Sequence, residues 1–307
     1  MAERRRAVHS PLVCTPKRLP ENLLIPAAEV AARVNPLNHA PLERLARVMR
    51  GFAPSRKRIA VLTTKYWGTR GVRLGVAFLD GPESALRRRI LQHLNAWGKT
   101  ANVKFVESSA GGAGAEVRIA RLGGVDGGYW SYVGTDILSI APGEPTMNLE
   151  AFTMSTSESE FVRVVRHEAG HTLGFPHEHM RRQLVNKIDP RKAIAYFGRT
   201  QGWSPDEVRA QVLTPIEDGS LLGTPDADPN SIMCYQIPGT ITKDGRAITG
   251  GADINDSDFA FAAKIYPKKP AAPPPRDLPE VKVFHSALRM ASRRHLATVG
   301  TAGTPDS

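Results

Sequence analysis

The chain has 307 residues, 41 Lys/Arg against 30 Asp/Glu for a net charge of +11, and two cysteines. That length allows one large domain with flanking segments and a substantial core. Two cysteines exclude a disulfide framework, and no apolar run reaches transmembrane length. The charged start Met1-Ala2-Glu3-Arg4-Arg5-Arg6 is followed by no apolar stretch, so no secretory signal is read; the expected location is cytoplasmic or reached by a signal-independent export route.

Charge is unevenly placed. Residues 1–56 carry 10 Lys/Arg and 4 Asp/Glu, residues 268–307 carry 7 and 3, and the body between them carries 24 and 23. A near-neutral body speaks against nucleic acid as a partner, and the basic flanks read as solvated. Residues 1–56 show two helical patterns: Ala27 to Val34, stopped by Pro36, and a stripe of Leu42, Leu45, Val48 and Met49. This part reads as an N-terminal extension lying on the main domain, or as a prosegment. In a prosegment the Cys14 thiolate could fill an open metal position; the commoner role of a lone cysteine is that of a small buried apolar residue.

The main domain, residues 57–267, opens with strand signals. Ile59 and Val61 alternate, and Val72, Leu74, Val76 and Phe78 do so more clearly. Pro82 and Glu83 start a helix with Leu86, Ile90, Leu94 and Trp97 on its apolar face; His93 lies off that stripe and reads as a surface residue. Val103 with Phe105, then Val117 with Ile119, form two more strands, and this order predicts a crossover unit in a twisted sheet. The glycine-rich Gly123–Gly128 lacks a P-loop lysine, so phosphate binding is not expected. A short strand, at a sheet edge, is expected within Trp130–Ile140.

Ser157 and Glu160 fit a capping box that opens a helix buried through Phe161, Val164, Val165 and Leu173. That helix carries His167-Glu168-Ala169-Gly170-His171, then Gly174 and His177. Four residues bring His171 back one turn below His167, so both imidazoles face one zinc ion. Glu168 sits where it can reach a water on that metal. Gly174 can adopt the left-handed conformation that ends the helix and swings His177 back as a third ligand. Three protein ligands leave a fourth position open, as catalytic zinc requires.

Beyond His177, helices are expected at Pro190–Thr200, Ser204–Val212 and Ser257–Tyr266, the last with Phe259, Ala262, Ala263 and Tyr266 inward. Residues 268–307 read as a Pro-rich linker and basic tail. No internal repeat is evident.

His-Glu-x-x-His-x-x-Gly-x-x-His resembles the motif of the metzincin metallopeptidases. Their Met-turn is matched by Ser231-Ile232-Met233-Cys234-Tyr235, with Met233 lying 56 residues after His177. Within that clan the sequence is most similar to the astacin-like group, through Phe175, Glu178, the Ser-x-Met-x-Tyr turn and Trp130-Ser131-Tyr132-Val133-Gly134. The resemblance covers residues 57–267. It implies an α+β fold: a twisted mixed sheet with a crossover helix, the zinc-site helix above, and a mostly irregular lower subdomain with the Met-turn and a C-terminal helix. It also implies His167, His171 and His177 as zinc ligands, Glu168 as general base and proton shuttle, Met233 as the floor of the site and Tyr235 as a fifth, movable ligand that swings to steady the oxyanion. Three features depart from the group: Cys234 replaces the usual histidine of the turn, the paired disulfides are missing, and no Asp-bearing prosegment is evident. In the group the counterpart of Glu178 binds the N-terminus created by activation; a plain structural hydrogen bond is the alternative.

The expected activity is therefore a zinc-dependent endopeptidase acting on a protein or peptide that lies extended along an edge strand. The alternative is a zinc-binding interaction module whose catalysis has lapsed, against which the intact Glu168 argues.

Overall fold

Alternation in Val72-Arg-Leu-Gly-Val-Ala-Phe puts Val72, Leu74 and Val76 on one face, and the segment forms strand β1 (Val72–Phe78) with those three side chains buried. A computed structural model describes Cys14 and residues 17–39, 63–109, 112–216 and 226–269. Those residues belong to one unit that ends at Lys269. The helical pattern at Leu42–Met49, the alternation at Ile59 and Val61, and the tail beyond Lys269 lie outside the described residues.

Helix α1 (Glu21–Val34) begins before the expected Ala27, although Pro26 removes one helical donor. It buries Ala27, Ala28 and Ala31. Buried Asn38 ties this region to the body: its Nδ2 donates to Ala31 O and Tyr66 O, and its Oδ1 accepts from Tyr66 N.

After β1, α2 (Ser84–Leu94) crosses over to β2 (Val103–Glu107), which pairs parallel to β1 with Val72 opposite Val103. Strand β3 (Val117–Ala120) pairs parallel on the other side of β1. Two three-residue strands complete the sheet: β4 (Tyr129–Ser131) and β5 (Met147–Leu149), in the order β2-β1-β3-β5-β4. Strand β4 alone runs antiparallel to its neighbour, and it forms the outer edge. The edge strand expected near Trp130 is present; Gly134–Ser139 beyond it is a 3-10 turn.

Helix α3 follows as Glu158–Glu160, a wide π-type turn Phe161–Val165, and Arg166–Thr172. Ser157 Oγ accepts from Glu160 N, so half of the expected capping box forms; the Glu160 carboxylate turns instead to Arg163. Phe161, Val164, Val165 and Leu173 are buried as expected. His93 is not at the surface. It is 1% exposed, stacked near Phe161, with Nε2 3.3 Å from a Glu158 oxygen. The apolar stripe of α2 does not include it because its neighbours there are the N-terminal turns of α3, which arrive from far along the chain.

The remainder has α4 (Pro190–Gln201), α5 (Pro205–Val208, continued by a π-type turn Arg209–Leu213) and α6 (Asp256–Ile265). Among the described residues two apolar clusters result. The larger joins the sheet, α2, α3 and α6 around Trp97, Phe161 and Phe175. The smaller gathers Phe197, Val208, Val212, Ile237 and Ile248 and includes Cys14, Cys234 and Tyr235.

Candidate metal centre

The end of α3 is held by donors from elsewhere in the fold. Trp97 Nε1 donates to Arg166 O at 2.8 Å and Trp67 Nε1 to Thr172 O at 2.8 Å; the Tyr266 hydroxyl donates to Leu173 O. The bonds to Thr172 and Leu173 satisfy carbonyls that the helix end cannot, and the Trp97 bond adds a second donor at Arg166 O, so the three together fix the rotation of α3. Gly174 takes φ 91°, and its turn is closed by Gly174 N donating to His171 O and Phe175 N to Gly170 O. A side chain there would be strained by that φ and would press on Lys65 O at 2.9 Å.

This turn brings the third histidine back. His177 Nε2 lies 3.1 Å from His167 Nε2 and 3.0 Å from His171 Nε2. His167 Nδ1 donates to Ile232 O at 2.6 Å and His171 Nδ1 to Phe175 O at 2.8 Å. These bonds leave the Nε2 lone pairs of both rings facing inward. Burial keeps all three rings neutral: it lowers His167 to about 4 and puts His171 and His177 well below the ordinary histidine value. Two inward lone pairs on neutral rings cannot both be satisfied by one hydrogen on His177. A cation at their centre satisfies all three, so the donor set fits a metal.

A fourth donor is present. The sulfur of Cys14 and the ring nitrogens of His167, His171 and His177 all lie within 4.8 Å of one another. Cys14 is 6% exposed, and burial, then the Glu168 carboxylate, push its thiol well above the usual value; a metal would oppose that. The chain therefore offers one cysteine and three histidines, four donors of the types that zinc takes. The sequence contains this cysteine but no local signal that places it here, because it lies far from the helix along the chain.

Glu168 is fully buried, and neither carboxylate oxygen makes a hydrogen bond. Burial raises its pKa to about 8, with the adjacent Cys14 thiol working against the rise. Tyr235 is 5% exposed; its ring lies 4.2 Å from that of His177 and stacks on His179 at 4.0 Å. Its hydroxyl makes no hydrogen bond, and burial, then Cys14 and Glu168, raise its pKa. Both groups are thus polar, buried and unsatisfied at the same spot.

The turn at Ser231–Tyr235 is built by Asp258, a residue that sequence reasoning missed. Asp258 Oδ1 accepts from Ser231 Oγ at 2.5 Å, and Oδ2 accepts from Ile232 N at 3.0 Å. The available signal was the Asn255–Asp258 capping box that opens α6. Met233 packs so closely on α3 that a Cβ on Gly170 would run into its sulfur. His179, also missed, donates from Nε2 to Gln211 O at 3.0 Å and supports the Tyr235 ring. Glu178 is engaged structurally: Oε1 accepts from Asp228 N at 3.0 Å and faces Arg181 at 3.7 Å. A cleft of about 420 Å³ opens beside Glu168, lined by Tyr129, Arg163, Val164, Gln236 and Gly251.

Cys14 lines this cleft, and Lys17 and Arg18, described a few residues on, each bond to another part of the fold. Lys17 N donates to Ser131 O on β4 at 3.2 Å, and Arg18 Nη2 donates to Ala210 O at 2.6 Å.

Comparisons with known proteins place the chain in a family. The sequence profile of Astacin, a peptidase family, matches residues 62–192. The chain is similar to a solved structure of myroilysin at 30% identity and a TM-score of 0.61, covering 67% of this chain and 97% of that one. A second myroilysin structure matches at 31% identity and a TM-score of 0.50, covering 66% and 86%. High choriolytic enzyme 1, a hatching enzyme zinc-protease from Oryzias latipes (medaka fish), matches at 16% identity and a TM-score of 0.43, covering 63% and 88%. A search of curated proteins finds no significant match.

Proposed function

The chain belongs to the astacin family of zinc-dependent endopeptidases, and on that premise we propose a role for each residue of its metal centre. His167, His171 and His177 hold the zinc; the convergence of their Nε2 atoms at 3.0–3.1 Å carries this reading. When bound, zinc supplies a Lewis acid that acidifies water toward a pKa of about 7 and polarises the scissile carbonyl. Glu168, unsatisfied and beside the histidines, takes a proton from the attacking water and returns it to the leaving amine. The free Tyr235 hydroxyl donates to the oxyanion as negative charge develops. Met233 floors the site. The peptide runs along β4, where Lys17 N already donates to Ser131 O as a substrate amide would.

The same contacts support a latent form. Residues 1–56 act as a prosegment: Cys14 fills the fourth metal position, and Lys17 and Arg18 fasten it to the Ser131 and Ala210 carbonyls. This favours a peptidase in waiting over a module whose catalysis has lapsed, since Glu168 and Tyr235 stand ready but unsatisfied. Glu168→Gln keeps the side chain's size and removes the base. Zinc content should match the parent while cleavage, after thiol modification to free the centre, falls about 10²- to 10⁴-fold. Parent-like cleavage by that variant would remove Glu168 from the mechanism, and absence of zinc in both proteins would remove the metal assignment.

A further inference from the structure

We infer that the cleft carries a subsite for a basic side chain, formed by Trp130, Asp126 and Tyr132 beside β4, through which the peptidase prefers a lysine or arginine near the scissile bond. This rests on the reading that the Cys14–Arg18 segment follows the substrate's course. That segment shows the subsite in use. Lys17 Nζ lies 4.6 Å from the centre of the Trp130 ring and 3.6 Å from Asp126 Oδ1, while its backbone N donates to Ser131 O. A cation over an indole face with a carboxylate alongside is a recognised way to hold an ammonium or guanidinium group.

The holder is itself fixed. Trp130 is 4% exposed, its Nε1 donates to the Asp126 carbonyl at 3.0 Å, and Tyr132 meets its ring nearly edge-on at 83°. The ring therefore presents one face without having to reorganise. A cavity of about 370 Å³ adjoins this contact, walled on one side by Lys17, Pro20 and Leu23 of the N-terminal segment and on the other by Trp130, Tyr132 and Ile140. Its charged lining, apart from Lys17, is Asp126 and Glu144, both negative. Burial and then these two acids raise the Tyr132 hydroxyl pKa, consistent with a negative potential in the cavity. The next residue, Arg18, does not enter this contact: its Nη2 donates to the Ala210 carbonyl at 2.6 Å. Selection of positive charge is thus confined to one position in an extended peptide.

Two measurements test the subsite. The first needs no catalysis: the rate at which iodoacetamide modifies Cys14 in the zinc-loaded full chain. Lys17→Glu and Asp126→Lys should each raise that rate about tenfold, since an ion pair and a cation–ring contact are lost together. Combining them should recover most of the protection. Parent-like rates in the single variants, or a combined variant worse than either, would overturn the inference. The second uses peptides that place Lys, Arg, norleucine or Glu at each of the four positions on either side of one cut. In the full chain carrying Cys14→Ser together with Lys17→Glu, which vacates the subsite, Lys and Arg should exceed norleucine about tenfold in kcat/KM at one position, with Glu below it. Asp126→Ala and Trp130→Ala should bring that ratio toward one. Chelator-sensitive cleavage with equal rates for all four residues would overturn the subsite and leave the zinc peptidase reading standing.

Discussion

The two apolar clusters hold the metal centre in different ways. The larger cluster, built on the sheet and α3, anchors the helix that presents His167 and His171, with Phe161, Val164, Val165, Ala169 and Leu173 all buried in it. The smaller cluster, built from short helices and loops, contains Cys14, Cys234 and Tyr235. The ligands that must stay are thus rooted in regular structure with carbonyls bonded by Trp97, Trp67 and Tyr266. The groups that the proposed mechanism moves, the Cys14 thiol and the Tyr235 hydroxyl, sit in the part with fewer strands and more single turns. The two clusters thus divide the proposed fixed and moving parts between them. Gly170 is the contact point: the missing side chain lets Met233 of the turn rest directly on α3.

Breaking the chemistry of the smaller cluster should have the largest effect. Tyr235→Phe removes a hydroxyl that makes no bond in the latent form, so zinc content and stability should match the parent. In the activated enzyme kcat should fall about 10²-fold or more, because the donor acts only as charge develops. An unchanged kcat in the zinc-loaded variant would leave the ring as packing on His179. Cys14→Ser comes next. Replacing a soft thiolate by a weakly binding hydroxyl should open the metal and raise the activity of the full chain about tenfold or more; unchanged activity would return Cys14 to a packing role.

The smallest effect concerns His179, whose ring lies under Tyr235. Burial lowers its folded pKa to about 3, below the unfolded value of about 6.5. Above about pH 7.5 both states are neutral and the group contributes no pH dependence. As pH falls from there toward about 3, only the unfolded chain takes up the proton, so stability declines. Between about pH 7 and pH 6 this amounts to about 0.7 kcal/mol. Urea unfolding of the parent and of His179→Leu at both values should differ in slope by that amount; identical slopes would mean that His179 titrates normally in the folded protein.

Much of the larger cluster was legible in the sequence because its determinants are local. Alternation marked β1, an apolar stripe marked α2, and the fixed offsets of His167, His171, Gly174 and His177 marked a metal-facing helix and turn. Strand β5 was not legible: three residues, Met147-Asn148-Leu149, are too few for a period, and they are a strand because β3 and β4 lie on either side. His93 was misplaced for a related reason, since its buried surroundings are supplied by Phe161 and Glu158. Asp258 showed itself only as a cap on α6, while its second task, holding the Met233 turn, exists only in three dimensions. Cys14 is the extreme case. Nothing near it in the chain prefers a metal, and its place beside three histidines comes from the course of a segment fastened at Lys17 and Arg18.

Strand β4 is three residues long and lies at the margin of the sheet, and in the latent form its outward carbonyl at Ser131 is already taken. Once the N-terminal segment leaves, that row of backbone groups is free to bond to whatever extended chain arrives first. The features that welcome a substrate would welcome an unfolded neighbour or a second copy of the enzyme equally well. On the proposed prosegment reading, keeping the segment in place guards the protein in storage against clumping as well as against untimely cutting. An activated preparation should for that reason be the more concentration-sensitive of the two forms, with its shelf life set by how quickly substrate covers the exposed margin.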